Sequence, residues 1–215
     1  MLHGIMVKNS NGKRDRVAGF SRLSDLAYSK LRYAISEGQI GAGERLVELE
    51  LCKTLNMGRT PIHDALLRLA GDGLVDSVPN AGFSVRHLTL EDIETVYELR
   101  MALESLAIRL ACRRGFSDIR LAELDHQCDL MAKAFEEGSV RGFAQADFRF
   151  HQLLIVLANS RQLEAAMRGS HLQFFTWSRS MGTAEYLQRS VGLAEEHRAI
   201  VQQLRARNAA EAERL

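Results

Sequence analysis

Proline is nearly absent: the 215 residues contain two, Pro61 and Pro79. Proline stops helices by losing an N–H and clashing with the preceding turn, so the whole stretch after Pro79 is open to nearly continuous helix. Cysteine is scarce as well. Cys52, Cys112 and Cys128 are odd in number, widely spaced and form no CxxC pair, which excludes a disulfide framework or a zinc finger and suits reduced thiols in a cytoplasm. Long hydrophobic runs are missing. The longest uncharged apolar stretch, Leu153 to Ala158, falls far short of the roughly 20 residues that span a bilayer, so a membrane is not an expected partner. The amino end has no long apolar segment before a small-residue cleavage site and does not read as a secretory signal. An excess of charge is lacking too. The 28 Lys and Arg against 27 Asp and Glu leave a net +1, with no bulk basicity to announce nucleic acid. What remains, 46% hydrophobic and 26% charged residues, is ordinary globular composition that predicts a packed core.

The chain changes texture near residue 88. From Leu90 onward apolar residues recur at helical spacing: Ile93, Val96, Leu99, Leu103, Leu106 and Leu110, then Leu121, Leu124 and Met131, then Phe143, Phe148, Leu153 and Leu157. Ser117 with Asp118 marks a helix start and Gly138 with Ser139 a break, so residues 89–215 read as an antiparallel bundle of five or six helices. Before it, helices are predicted from Ser24 to Glu37, from about Val47 to Leu55, and from Arg59 or Thr60 to about Asp72. Two extended segments, Leu74 to Val78 and Gly82 to Arg86, flank Pro79-Asn80-Ala81 and read as a hairpin. Three helices and a hairpin are the order of a winged helix-turn-helix, here over residues 20–88. Residues 1–19 are polar and unpatterned, and read as a flexible arm. The fold class is thus mainly α.

Dividing the charge at this boundary is informative. Residues 1–90 hold 12 Lys and Arg against nine Asp and Glu, net +3, while the remainder is net −2. Within the basic half, Gly43-Glu44-Arg45-Leu46, Met57-Gly58-Arg59-Thr60-Pro61, Ala65-Leu66-Leu67-Arg68-Leu69, Asp72-Gly73-Leu74-Val75 and Pro79-Asn80-Ala81-Gly82-Phe83 closely resemble the DNA-binding domain of the GntR family of bacterial transcription regulators. Thr60 is expected to cap the third helix, Pro61 fits its first turn, and Gly82 permits a tight wing turn. In such a motif the second helix of the pair lies in the major groove and presents its amino-terminal residues to base edges. The resemblance therefore implies double-stranded DNA as partner, with Arg59, Thr60 and His63 facing bases and Lys53, Arg68, Asn80 and Gly82 holding the backbone. Arg68 reads equally well as a solvated surface charge. Relatives commonly carry arginine where this chain has Leu49, His63 and Ala81, so an altered half-site and a shallow salt dependence are expected.

The helical half resembles the FCD effector domain of the FadR subgroup, through Glu98-Leu99-Arg100 with Leu103-Glu104, Asp147-Phe148-Arg149-Phe150-His151, Ala158-Asn159-Ser160 and Glu195-Glu196-His197-Arg198-Ala199-Ile200. Asp147 and His151 are one helical turn apart and share a face, where they form either a hydrogen-bonded pair or two ligands of one ion. His197 can supply a third ligand if its helix packs opposite, and an aspartate oxygen with two imidazoles suits a divalent metal, zinc or nickel. The resemblance implies a further histidine about 20 residues beyond the His197 position, past Leu215; either the chain is truncated or three protein ligands suffice, with His171 the substitute or a surface histidine. A small organic acid beside the ion would be gripped by Arg100, which is alternatively the i,i+4 partner of Glu104. Asn159 lines that pocket or ends a helix.

These features predict a cytoplasmic, ligand-responsive transcription regulator, usually a repressor in this family, binding a palindromic operator as a homodimer. It is not expected to be an enzyme. The competing reading is a small metal-dependent hydrolase using Asp147, His151 and His197, but no HExxH, GxSxG or paired general base accompanies them, and the winged helix is left without a purpose.

Overall fold

Apolar residues at Ala27, Tyr28, Leu31, Ala34 and Ile35 place one buried stripe along α1 (Ala18–Ser36). The computed structural model, which describes residues 18–78, 82–180, 186, 188 and 190–215, lays that stripe against α3 (Arg59–Gly71). There Ile62, Ala65, Leu66 and Leu69 are fully buried, and Leu74 follows them into the same core. A chain segment from Asn56 to Gly58 joins α2 (Glu48–Leu55) to α3, with Asn56 in the left-handed conformation at φ 51°. The helix starts at Arg59 after Gly58, whose extended backbone forms the cap without a side chain. Thr60 therefore lies inside the first turn and is exposed; the cap position expected of it is taken by Gly58, ahead of Arg59, through backbone geometry.

Two strands, β2 (Val75–Val78) and β3 (Gly82–Val85), pair antiparallel with Val75 opposite Val85 and Ser77 opposite Phe83. A third, β1 (Arg45–Leu46), pairs on the other side of β3, giving the order β1-β3-β2. Two residues are too few to show an alternating pattern, which is why sequence periodicity does not reveal β1. Gly82 opens β3 at φ 87°, a value that glycine adopts without strain. Asn80 and Ala81, the other wing positions of interest, lie outside the described residues, as does most of the amino-terminal arm.

The chain divides into two compact units, one ending at Thr89 and one spanning Leu90–Leu215. The second contains α4 (Leu90–Arg114), α5 (Asp118–Glu136), α6 (Val140–Leu157), α7 (Arg161–Ser180), α8 (Leu193–Arg205) and α9 (Ala209–Arg214) among the described residues. Short turns make successive helices antiparallel. At the α5–α6 turn the Ser139 hydroxyl accepts from the Gly142 N–H, and a Cβ on Gly142 would sit 2.9 Å from that oxygen, so glycine is what lets the cap close. The core between α5, α6 and α8 is built from Leu121, Leu124, Met131, Phe143, Phe150 and Leu204. On α4 the buried face differs from the expected leucine stripe. It runs through Ile93, Val96, Arg100, Ala107, Ile108 and Ala111, while Leu99 and Leu106 face outward. Alanines let neighbouring helices approach closely, so the contact face follows the small residues. No helix among the described residues is long and apolar enough to cross a membrane.

Candidate functional site

In the helical unit α6 supplies Asp147 and His151 from one face, and α8 brings His197 opposite them. One donor atom from each falls within a group whose members all lie within 4.8 Å of one another. The Nε2 atoms of His151 and His197 are 3.1 Å apart, and Asp147 Oδ1 lies 3.4 Å from the first and 3.1 Å from the second. Metal–ligand bonds of about 2.0–2.1 Å put neighbouring ligands roughly 3.0 Å apart in an octahedron and 3.3 Å apart in a tetrahedron, so these three atoms already stand at ligand spacing.

The other ring nitrogens decide what the three atoms offer. His151 Nδ1 lies 2.8 Å from Glu104 Oε2, and His197 Nδ1 lies 2.8 Å from the Leu193 carbonyl oxygen. A carboxylate and a carbonyl only accept, so both Nδ1 atoms carry the proton and both Nε2 lone pairs face Asp147. Two lone pairs and an anionic oxygen cannot converge without a positive charge among them. Either a proton or a cation must be shared, and the carboxylate–histidine arrangement is the one that orients imidazole toward a metal. The donor set therefore fits a divalent ion.

Electrostatics point the same way. Burial raises the Asp147 carboxyl, but the His151 and His197 rings outweigh it and hold the group well below the carboxylate range. Glu104 is buried too, and His151, His171 and Arg100 likewise hold it below that range. Burial, the largest single influence, pulls His151 down and Arg100 adds to it, but the Glu104 and Asp147 carboxylates together outweigh them, so its net shift is upward.

Glu104 is the residue the sequence did not single out for this role. It connects His151, the Arg100 Nε–H at 3.2 Å and His171 Nε2 at 3.4 Å. Arg100 therefore makes its i,i+4 pair and also lines the cavity, with its guanidinium 4.1 Å from the centre of the Phe174 ring. His171 is not a surface residue: it is 5% exposed, and burial lowers its pKa. It belongs to the Glu104 network and stands outside the three-ligand group. Asn159 does not line the cavity. It follows α6 in the left-handed conformation at φ 46°, exposed, and its carbonyl accepts from Arg114. The short polar side chain that suggested ligand contact instead tolerates the backbone turn.

The cavity above the three donor atoms is about 860 Å³, walled by Tyr97, Met101, Phe174 and Trp177 and floored by Arg100, Asp147, His151 and His197. Such volume suits a small organic ligand.

In the amino-terminal unit Arg59, Thr60 and His63 are exposed along the start of α3, and Lys53 is exposed on α2. Glu48, the first residue of α2, accepts from Arg59 Nε at 2.8 Å and meets His63 Nδ1 at 2.7 Å. Arg68 is committed elsewhere: its guanidinium bonds to Asp25 and lies 4.2 Å above the Tyr28 ring, while the Tyr28 hydroxyl donates to Asp72.

Comparison with known proteins agrees with both units. Residues 23–85 match the gntR family of bacterial regulatory proteins, and residues 95–215 match the FCD domain. An uncharacterized HTH-type transcriptional regulator from the ttuE-ttuC' intergenic region of Agrobacterium vitis is 36% identical over 67% of this chain and 85% of its own. A transcriptional repressor named for D-xylose utilization in Paenarthrobacter nicotinovorans is 29% identical over 80% of this chain and 74% of its own. A GntR transcriptional regulator structure from Rhodococcus sp. RHA1 superposes with a TM-score of 0.73 at 27% identity, covering 90% of this chain and 91% of the other. With a winged helix that exposes Arg59, Thr60 and His63 and an FCD bundle that encloses a cavity, this chain belongs to the GntR family of transcription regulators, in its FCD-containing branch.

Proposed function

We propose that this regulator is a metal-assisted sensor of a small organic acid, and that occupancy of the cavity changes its affinity for an operator. The observation that carries the reading is the convergence of His151 Nε2, His197 Nε2 and Asp147 Oδ1, with both Nδ1 protons directed outward to Glu104 and Leu193. Zinc or nickel held there would leave coordination positions toward the cavity. The ion acts as a fixed positive charge for a carboxylate, and Arg100, at the same floor, offers a planar fork for its second oxygen. One buried arginine beside a rim bearing Glu94, Glu98 and Glu196 favours a single carboxylate on an apolar body over a polyacid.

Arg59, Thr60 and His63 then read bases in the major groove, and Lys53 and the Gly82 wing hold phosphates. Arg68 serves the α1–α3 junction first. The protein acts as a homodimer on a palindromic operator, and repression is the favoured mode, as in the name of the Paenarthrobacter relative. The ligand can act only through different affinities for two arrangements of the protein.

Equilibrium dialysis of the full-length protein against zinc or nickel tests the reading. One ion per chain is expected for the wild type and none at the same free metal for His151→Ala. Equal occupancy in the two proteins would refute the metal site.

A further inference from the structure

The Glu48 carboxylate is an unusual neighbour for a DNA-reading surface, because it would repel phosphates. It comes from α2, yet its two oxygens are each occupied by a side chain of α3, Arg59 Nε at 2.8 Å and His63 Nδ1 at 2.7 Å. The Glu48 side chain is 18% exposed, whereas those of Arg59 and His63 are 83% and 47% exposed. The carboxylate is thus the inner partner and the two readers point outward. On its other side His63 packs edge-on against Phe83 of β3, with ring centres 5.7 Å apart, so the imidazole is held from two elements.

We propose that Glu48 is a positioning residue that sets which bases α3 selects: it fixes His63 with Nδ1–H inward and Nε2 outward as an acceptor, and turns the Nη edge of Arg59 outward. This inference rests on the placement of the start of α3 in the major groove. A carboxylate only accepts, so the proton of the neutral imidazole sits on Nδ1. The outward Nε2 lone pair matches a base that presents an amino donor in the major groove, N6–H2 of adenine or N4–H2 of cytosine. Guanine presents N7 and O6, both acceptors, and is rejected by the same lone pair. The Arg59 guanidinium keeps its end-on pair of Nη groups for guanine N7 and O6. One step of the half-site therefore changes class, from the guanine that an arginine at position 63 would take to adenine or cytosine, beside a guanine read by Arg59.

Selection from a randomised pool of short duplexes by the full-length protein tests this. The wild type is expected to enrich adenine or cytosine over guanine at one position of each half-site by about fivefold or more, the low end for a good side chain–base pair. His63→Arg should convert that position to guanine, and His63→Ala should level it. Glu48→Ala and Glu48→Gln should flatten the preference at both the His63 and Arg59 positions without weakening binding to unselected duplex, since each removes a negative charge. Loss of fold would instead weaken binding to every duplex. Guanine selected by the wild type at the position that His63→Ala levels, or both preferences retained in Glu48→Ala, would overturn the proposal. A wild type that enriches no half-site would overturn the placement of α3 itself.

Discussion

Replacing Glu104 by glutamine separates the metal-sensor reading from a purely structural one. The carboxylate meets His151 Nδ1 at 2.8 Å, the Arg100 Nε–H at 3.2 Å and His171 Nε2 at 3.4 Å. Glutamine keeps the shape and one accepting oxygen, so the Arg100 pair or the His151 bond can persist, but the negative charge is lost. A charge-assisted hydrogen bond is about twice as strong as a neutral one, and the lost charge also lowers the basicity of the imidazole it orients. Outer partners of this kind are worth about 10- to 100-fold in metal affinity, or roughly 1.4–2.8 kcal/mol. Full-length protein stripped by a chelator and titrated with zinc against a chromophoric competitor should show the Kd of Glu104→Gln raised by that factor. His151→Ala, which removes a ligand, should lose more. A glutamine variant with wild-type zinc affinity and an unchanged melting temperature would mean that Glu104 serves only to neutralise Arg100, and the orienting role would be wrong.

Metal affinity should rise with pH. Burial and Arg100 lower His151, but the Glu104 and Asp147 carboxylates together outweigh them, so the folded pKa lies above the ordinary value. In the metal-free protein the protonated ring stabilises the fold fully below about pH 6.5, and that contribution is lost as pH rises through the folded pKa. A metal must displace this proton, so the zinc-induced rise in melting temperature should grow between about pH 5.5 and 8; a constant shift would contradict it. Leu66→Ala should destabilise the winged helix by about 2–5 kcal/mol in urea unfolding, because the side chain is fully buried, while Leu67→Ala, 49% exposed, should cost less than about 0.5 kcal/mol. DNA binding should weaken only gently with salt, and Leu49→Arg should steepen the slope of log K against log salt by about 0.9 per added phosphate contact. An unchanged slope in that variant would show that α2 does not approach the backbone.

The parts that sequence made legible are those carried by local chemistry. Proline and glycine placement, the Ser139 break and the period of apolar residues located the helices to within a few residues, though α1 begins at Ala18 rather than near Ser24. The spacing of Asp147 and His151 gave two of three converging donors directly, since i and i+4 must share a face. The illegible parts are those in which partners come from elsewhere in the chain. Glu104 is 47 residues from His151 and 67 from His171, and its position four residues after Arg100 explained it so completely as a local ion pair that nothing called for a second role. Glu48 is 15 residues from His63 and on a different helix. Neither pairing leaves a periodic trace, because periodicity records which face of a helix is buried and not what that face meets.

This difference also explains why a buried cation and two buried histidines occupy a core that composition alone describes as ordinary. Arg100 takes a position in the buried face of α4 between Val96 and Ala107, where the apolar pattern predicts leucine. An unpaired charge there would cost several kcal/mol, so Arg100 requires Glu104. Glu104, held anionic, orients His151, and His151 then shares the Asp147 oxygen with His197. The chain of partners ends on three atoms that share a need for one positive charge. A network arranged only for stability could have been replaced by leucine and phenylalanine without loss, since well-packed apolar residues are commonly as stable as buried ion networks. Its position at the floor of a cavity large enough for an organic acid is what favours the proposed binding site over a repacked core.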